Sequence, residues 1–167
     1  MINIPQSSFT EIFVRLNRLD KLGVTRWIFL PGMEFATRNK SWERTERTTP
    51  HEGLDICCFE GTGGQVVDLA ENTLVPAIYN GTVIKIFNYF LGFFILVAHN
   101  FQDSGKTLYS IYAHTHPIKT LKASTLINGG DPIATICPTE QKKSQHTFIS
   151  PLSGPMKQKA PALINKP

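Results

Sequence analysis

The sequence predicts a mostly β fold, an antiparallel β-sandwich or barrel-like domain with one short helix near its N-terminus. Short β-favouring runs follow one another closely after residue 51, and no second helix of good periodicity interrupts them. Many short strands at close spacing are typical of antiparallel sandwiches and barrels. The runs cover residues 66–67, 74–79, 82–87, 93–99, 107–113 and 132–136.

Turn signals separate these runs. Asn80-Gly81 stands between the runs 74–79 and 82–87. An Asn-Gly pair between two β-favouring runs predicts a tight hairpin turn, so we expect these two strands to pair. Asn128, Gly129 and Gly130 mark another turn, before the last run.

The helix is predicted over residues 7–22, where apolar side chains recur at steps of three and four residues. Ser7 or Ser8 could cap its start, and Gly23 is expected to end it. One apolar face on a short helix favours packing against the sheet over binding to a membrane.

The chain divides into three parts by composition. Residues 1–48 are expected to hold the helix and a lead-in segment, 49–150 the β domain, and 151–167 an irregular, proline-rich tail. The polar stretch 38–50 is expected to form a solvated loop. Loops of that length in small domains are often rims of functional sites.

Composition limits the class of function. The chain has 167 residues, of which 41% are apolar and 18% charged, and this suits one globular domain with a hydrophobic core. Its net charge of +4 is mild and scattered, so we expect no nucleic-acid partner. Cys57, Cys58 and Cys137 do not suit a disulfide framework and are expected to be small core residues.

Neither a membrane span nor a signal peptide is predicted. The most apolar stretch, 87–98, is too short to cross a bilayer. The N-terminus lacks the basic start and apolar run of a signal peptide. We therefore expect a soluble protein, either cytoplasmic or a mature form whose leader is not part of the sequence.

Candidate chemistry begins with the segment HEGLD. If this segment is extended, the side chains of His51 and Asp55 point to the same face. An imidazole beside a carboxylate suits Zn²⁺, which binds histidine nitrogen and aspartate oxygen at roughly 2 Å. A surface histidine beside a turn aspartate would give the same pattern, so this motif alone leaves both interpretations open.

Three more histidines lie near predicted strands. Alternation along 110–117 places Tyr112 and His114 on one face and lets His116 face the same side. These side chains could bind a metal or polarise a substrate, or they could be ordinary histidines at an exposed strand end. His146 stands alone near a predicted strand.

Five segments in a fixed order carry a family resemblance. HEGLDI, LVPAIYNGTVIKIF, GFFILVAHN, SIYAHTHPI and INGGDPIATI resemble, in order and spacing, the lysostaphin-type (LytM-like) zinc endopeptidases. The resemblance covers roughly residues 50–150. It implies a peptidase with one Zn²⁺ ion that hydrolyses peptide bonds of peptidoglycan cross-bridges. Peptidoglycan peptides are then the expected partners, and the periplasm or the cell wall is the expected location.

The resemblance also implies residue roles. His51 and Asp55 match the first two zinc ligands of the family. His114 and His146 match the two histidines that assist catalysis, and His99 matches a histidine with a structural role beside the sheet.

The last motif departs from the family's H-x-H pattern. Counting forward without gaps from 133–136 puts His146 on its first histidine and Phe148 on its second, which is the third zinc ligand. Phenylalanine cannot coordinate a metal. A slip of two residues keeps the side-chain face and would put His146 at the ligand position instead. His116 or a water molecule is the other candidate for the missing ligand.

Three functions are therefore weighed. The first is a zinc endopeptidase whose loops 38–50 and 101–106 wall a substrate groove. The second, which Phe148 favours, is a degenerate, non-catalytic cell-wall-binding or regulatory module on the same fold. The third, a sugar-phosphotransferase carrier domain that uses His99 and His114, leaves the HEGLD segment unexplained.

Overall fold

The protein is mostly β, which confirms the predicted fold class; the computed structural model describes residues 4–40, 45–89, 92–103, 106–137 and 147–153. Helix α1 (Phe9–Leu16) is followed by a 3-10 turn at Leu19–Leu22. The strands are β1 (Arg26–Ile28), β2 (Leu54–Ile56), β3 (Cys58–Glu60), β4 (Val66–Asp68), β5 (Leu74–Pro76), β6 (Gly81–Tyr89), β7 (Gly92–Asp103), β8 (Lys106–Pro117), β9 (Leu126–Ile127), β10 (Pro132–Ile136) and β11 (Thr147–Ser153). No helix in these ranges is long and apolar enough to cross a membrane.

Two antiparallel sheets form the described part of the fold. The smaller sheet has the order β1-β3-β4. The larger has the order β2-β11-β8-β7-β6-β9, and β10 joins it by pairing with both β5 and β8. One edge of β8 therefore has two partners in succession, β11 up to Ala113 and β10 from Thr115 onward.

One hydrophobic core connects α1 with both sheets. The Phe13 ring meets Trp27 edge-on with 5.6 Å between centroids, and Trp27 meets Phe59 in the same way at 6.1 Å. In the larger sheet Tyr112 is fully buried, and its hydroxyl oxygen accepts a hydrogen bond from the backbone N–H of Ile78 at 2.7 Å. The helix thus packs into the core that the strands share.

Helix α1 is shorter than the predicted 7–22, and Asn17 supplies the reason. Its Nδ2 donates hydrogen bonds to the carbonyl oxygens of Phe13 and Leu74, both at 2.9 Å, and its Oδ1 accepts one from the Leu74 N–H at 2.7 Å. A side chain that bonds the carbonyl four residues back competes with helix continuation. Arg18 then adopts a left-handed backbone with φ of 54°, which ends the helix.

Asn80 and Gly81 do not form the predicted hairpin. Strand β5 pairs with β10, whereas β6 pairs with β7 and β9. The carbonyl oxygen of Asn80 lies 3.1 Å from His99 Nδ1, and its Oδ1 accepts a hydrogen bond from Gly129 N at 2.7 Å. A Cβ on Gly81 would lie 2.5 Å from the carbonyl oxygen of Ala98, so glycine is needed for close strand approach.

Two predicted irregular segments contain strand. Most of the expected 101–106 loop belongs to β7 and β8, which pair Asp103 with Lys106. Strand β11 runs to Ser153 and so enters the expected tail, while 154–167 lie outside the described residues. The division of the chain at 48/49 and 150/151 remains a prediction.

Cys57, Cys58 and Cys137 form no disulfide with one another, and all three are buried, as expected of core residues. The Cys57 sulfur lies 3.6 Å from the Met33 sulfur and 3.5 Å from the Cys58 sulfur. Burial raises the pKa of the Cys57 thiol, which keeps it protonated in this apolar contact.

Candidate metal centre

His51 and Asp55 lie side by side at the start of the larger sheet. Asp55 is the middle residue of β2, and His51 precedes that strand by three residues. His51 Nε2 and Asp55 Oδ1 are 3.6 Å apart, and both side chains are buried. The structure therefore brings together the two residues predicted as metal ligands.

The backbone of residues 32–39, called here the 32–39 segment, holds this pair in place. Its Met33 carbonyl accepts a hydrogen bond from the Asp55 N–H at 3.0 Å, and its Thr37 carbonyl accepts one from the His51 N–H at 2.8 Å. The Glu34 carbonyl oxygen lies 3.1 Å from His51 Nδ1. One stretch of main chain therefore positions the backbone of both residues and orients the His51 ring.

The contact with Glu34 fixes the tautomer of His51. A carbonyl oxygen can only accept, so Nδ1 carries the hydrogen and donates it. Burial lowers the pKa of His51, which favours the neutral ring. In that state Nε2 presents a lone pair to the Asp55 carboxyl oxygen.

Asp55 has a buried oxygen that the described residues leave unsatisfied. Its Oδ1 has no hydrogen-bond partner there, and 3.6 Å is too long for a hydrogen bond to His51. Burial raises the pKa of the Asp55 carboxyl to about 7, and the positive charge of Arg47 opposes that rise. Such an orphaned oxygen is costly unless something binds it.

The spacing of the two atoms fits a zinc ion. Two donors that each lie about 2.0–2.1 Å from a tetrahedral ion are about 3.4 Å apart, close to the 3.6 Å between His51 Nε2 and Asp55 Oδ1. Two lone pairs that face each other at this distance are stabilised by a shared cation. In the part of the chain that the structure describes, no third His, Cys, Asp or Glu completes a metal site.

The strand register shows what stands opposite Asp55. Phe148 of β11 pairs with Asp55 on one side and with Ala113 of β8 on the other. This register agrees with the ungapped alignment, in which Phe148 replaces the third ligand. His146, predicted as a catalytic residue, lies outside the described residues.

His114 lies where β8 changes partner from β11 to β10. Its φ of 56° falls in the left-handed region, which is uncommon for a residue other than glycine. From Phe93 to Ile95 strand β7 advances two residues, whereas β8 moves three, from Thr115 to Tyr112. The extra residue is a β-bulge, a feature that re-aims side chains.

His114 contacts the face of the sheet that carries Asp55. Ala113 and Asp55 both pair with Phe148, and directly paired residues share a face. Phe94 is on the same face by strand alternation, and its ring centroid lies 6.2 Å from that of His114. Two strand spacings separate the backbones at Ala113 and Asp55, which corresponds to about 10 Å.

The expectation that His114 and His116 face the same side stays a prediction. The His116 ring packs near Phe93, with 5.8 Å between centroids, whereas His114 contacts Phe94. The register pairs Thr115 with Phe93, so strand alternation places His116 on the face that carries Phe94. His116 is exposed, and among the described residues it forms no metal site with His51 and Asp55.

His99 is buried away from solvent and has partners on both ring nitrogens. Nδ1 lies 3.1 Å from the Asn80 carbonyl oxygen, so it carries the hydrogen, and Nε2 lies 2.8 Å from Ser110 Oγ, which can donate to it. Burial lowers the pKa of His99. These contacts support the structural role that the family resemblance implies.

Acidification is expected to destabilise the fold through His99. In the unfolded chain His99 takes up a proton below a pH of about 6.5, whereas burial keeps the ring neutral in the folded protein. The contribution of His99 to the free energy of unfolding is therefore complete above that pH and is lost as the pH falls. The free energy of unfolding should therefore fall between pH 7.5 and pH 5.5. Denaturant unfolding of the wild type and of His99→Asn at both pH values measures it, with His116→Asn as control for removing an imidazole. Equal pH slopes in the wild type and His99→Asn would contradict the role of His99.

Nothing in the sequence distinguishes Arg47, whose charge acts on both Asp55 and His51. It lies among several basic residues in the stretch 38–50, which was predicted only to be a polar loop. The backbone carbonyls that hold the pair could not be predicted either, because a pattern of side chains does not show which backbone groups accept hydrogen bonds.

The described part of the chain is thus an antiparallel β domain that presents a buried histidine–aspartate pair. The sequence model of Peptidase family M23 matches residues 49–151, and the chain belongs to this family. The predicted lysostaphin-type resemblance is thereby confirmed.

Solved structures share the fold. LytU is 22% identical, with 74% of this chain and 73% of that chain covered and a TM-score of 0.53. The solution structure of lysostaphin is 16% identical, with a TM-score of 0.52; the match covers 80% of this chain and half of the lysostaphin chain. No curated protein sequence matches the chain.

Proposed function

We propose that the protein is a zinc-dependent endopeptidase that hydrolyses peptide bonds in peptidoglycan cross-bridges. Membership of a peptidase family supports the reaction class. The observation that carries the proposal is the pair of facing electron donors, His51 Nε2 and Asp55 Oδ1, at 3.6 Å. A buried, unsatisfied carboxylate oxygen is destabilising by itself, and a metal ion would satisfy it.

Each residue of the candidate site would have its own role in metal binding or catalysis. His51 and Asp55 would hold the metal, which supplies Lewis-acid activation of a water and of the scissile carbonyl. The Glu34 carbonyl keeps the His51 ring in the tautomer that a metal needs, as hydrogen-bond partners of ligating histidines commonly do. His114 contacts the same sheet face, where its imidazole could pass a proton to the leaving amine. His146 is proposed as the second assisting histidine.

The substrate and the location follow from the same resemblance. The motif order of residues 50–150 is that of enzymes that cut peptides of the cell wall, so the protein would act in the periplasm or at the wall. The net charge of +4 is compatible with an anionic wall surface.

Metal analysis tests the proposal directly. Protein dialysed against zinc and then against buffer should retain the metal, and His51→Ala and Asp55→Asn should each lower its zinc affinity by at least about tenfold, because each leaves one ligand of the pair. Glu52→Gln is the matched control, since it makes the same carboxylate-to-amide change on an exposed neighbour. Hydrolysis of purified peptidoglycan, read as new amino groups, should follow zinc content. Equal zinc binding by the wild type and both pair variants would overturn the proposal.

A non-catalytic module on the same scaffold is the second candidate. The observation that favours it is the register of β11, which puts Phe148 at the ladder position opposite Asp55. Two protein ligands hold zinc poorly, since catalytic sites normally use three. Binding of the protein to insoluble peptidoglycan without release of amino groups would support this candidate over the enzyme.

A further inference from the structure

Three sulfur atoms lie together in the interior, beside the smaller sheet. The Cys57 sulfur lies 3.6 Å from the Met33 sulfur and 3.5 Å from the Cys58 sulfur. Met33 and Cys58 are almost completely buried, and Cys57 is 7% exposed. These three residues, called here the sulfur cluster, form a small hydrophobic cluster of their own, against which Ile28 packs. The sulfur cluster has no role in the proposed peptidase reaction.

The main chain holds the three sulfur-bearing residues in place. The Met33 carbonyl accepts a hydrogen bond from the Asp55 N–H at 3.0 Å, and the Cys57 carbonyl accepts one from the Leu69 N–H at 2.8 Å. Cys58 lies in β3, which pairs with β1 on one side and with β4 on the other. The fold therefore brings the sulfur atoms together before any ligand binds, which lowers the conformational entropy that binding would cost.

The chemistry of the donors selects the kind of ion. Structural zinc sites use four donors from cysteine, histidine, aspartate or glutamate, and iron–sulfur clusters are held by cysteine thiolates. The described ranges hold no group of three or more such side chains that could bind a metal. Thiolate and thioether sulfurs are soft donors, and Cu(I) binds both kinds. Two cysteines and one methionine therefore favour Cu(I).

The spacing of the sulfur atoms is close to that around one ion. A metal–sulfur bond is about 2.3 Å long, so three sulfurs in a plane around one ion lie about 4 Å apart. The two sulfur–sulfur distances at Cys57 are 3.6 Å and 3.5 Å, so the sulfurs would have to separate by about half an ångström. Methionine has three rotatable side-chain bonds, which makes such an adjustment easy for Met33.

We propose that Cys57, Cys58 and Met33 form a binding site for one Cu(I) ion, separate from the candidate metal centre. Binding releases the hydrogens of the two thiols to solvent as protons, and the two thiolates and the thioether each donate an electron pair to the ion. No electron is transferred, because copper enters and stays as Cu(I). Burial shields the bound ion from water.

A titration under anaerobic conditions tests the site. Metal-free full-length protein is titrated with Cu(I) in the presence of bathocuproine disulfonate, whose coloured Cu(I) complex reports the copper that the protein does not bind. The wild type should bind one Cu(I) per chain. X-ray absorption of the loaded protein should show sulfur neighbours alone, at about 2.3 Å.

Variants of the sulfur cluster assign the copper to it. Cys57→Ala and Cys58→Ala should each lower the Cu(I) affinity at least about 100-fold, because each removes a thiolate ligand. Met33→Leu should lower it about tenfold, since it removes the thioether and nearly conserves the side-chain volume. Thermal unfolding of each variant checks that the fold is kept.

Two further variants are controls. Cys137→Ala is matched to the other alanine variants, because Cys137 is a buried cysteine outside the sulfur cluster. His51→Ala removes a ligand of the candidate metal centre and leaves the sulfur cluster intact. Both variants should bind Cu(I) with the affinity of the wild type.

Three results would overturn the inference. The first is a wild type that binds no copper, and the second is equal Cu(I) affinity of the wild type and Cys57→Ala. The third is nitrogen or oxygen neighbours in the absorption spectrum together with loss of copper in His51→Ala, which would put the ion at the histidine–aspartate pair. If an alanine variant fails to fold, the wild-type spectrum and Met33→Leu decide between these results and the expected one.

Discussion

Phe148→His is expected to raise zinc affinity by at least about 100-fold. The substitution puts an imidazole at the ladder position paired with Asp55, and paired positions in an antiparallel sheet carry their Cβ atoms about 4.5–5.5 Å apart. The centre would then have three protein ligands, as catalytic zinc sites normally do. Competition with a fluorescent zinc chelator measures the change, and peptidoglycan hydrolysis should rise with it.

Ile149→His is the matched control for this experiment. Ile149 is the next residue of β11 and pairs with Leu54, so a histidine there points to the other face of the sheet. It should leave zinc affinity at the wild-type level. Equal affinity of the wild type and Phe148→His would contradict the assignment of Phe148 to the ligand position. Hydrolysis by Phe148→His alone would identify the wild type as the non-catalytic module.

Asp55→Asn is expected to stabilise the metal-free protein by about 2 to 4 kcal/mol at pH 8. Burial raises the pKa of this carboxyl from 3.8 to about 7, and each pKa unit corresponds to 1.36 kcal/mol, which gives an upper bound of roughly 4 kcal/mol. The amide removes the buried charge, and its NH₂ group can donate to the lone pair on His51 Nε2. Urea unfolding in the presence of a chelator measures the gain.

The stability that Asp55→Asn gains over the wild type is expected to increase as the pH rises. The folded carboxyl binds its proton up to pH of about 7 whereas the unfolded one releases it near 3.8, so the wild type loses stability as the pH rises between these values. The difference between Asp55→Asn and the wild type should therefore grow from pH 4 to pH 7 and stay constant above. Glu52→Gln is the matched control for the change from carboxylate to amide. A gain that is independent of pH would contradict the desolvation of Asp55.

Side-chain periodicity predicted the strands but not all their partners. The runs that became β6, β7 and β8 were placed within a few residues, because alternation and β-branched residues are local properties. The partner of β5 is not local: Asn80 and Gly81 read as a hairpin turn, yet β5 pairs with β10, more than fifty residues away. Asn17 ended the helix early through a contact with β5 that no helical pattern contains.

The candidate site was predictable where ligands are side chains close in sequence. His51 and Asp55 are four residues apart and lie together as expected. The β-bulge and the left-handed backbone at His114 were not predictable, because no residue type in this segment indicates them. The register of β11 against β2 depends on the whole sheet, so only the structure could relate Phe148 to Asp55.

The amide of Asn17 also covers one edge of strand β5. Strand β5 pairs with β10 on one side, and on its other side Asn17 bonds both the N–H and the carbonyl of Leu74. An open strand edge is a template for pairing with another molecule, and a side-chain amide there imitates one residue of a neighbouring strand without offering more. The residue that follows the N-terminal helix thus occupies the two main-chain groups of Leu74 that would otherwise face a neighbouring strand.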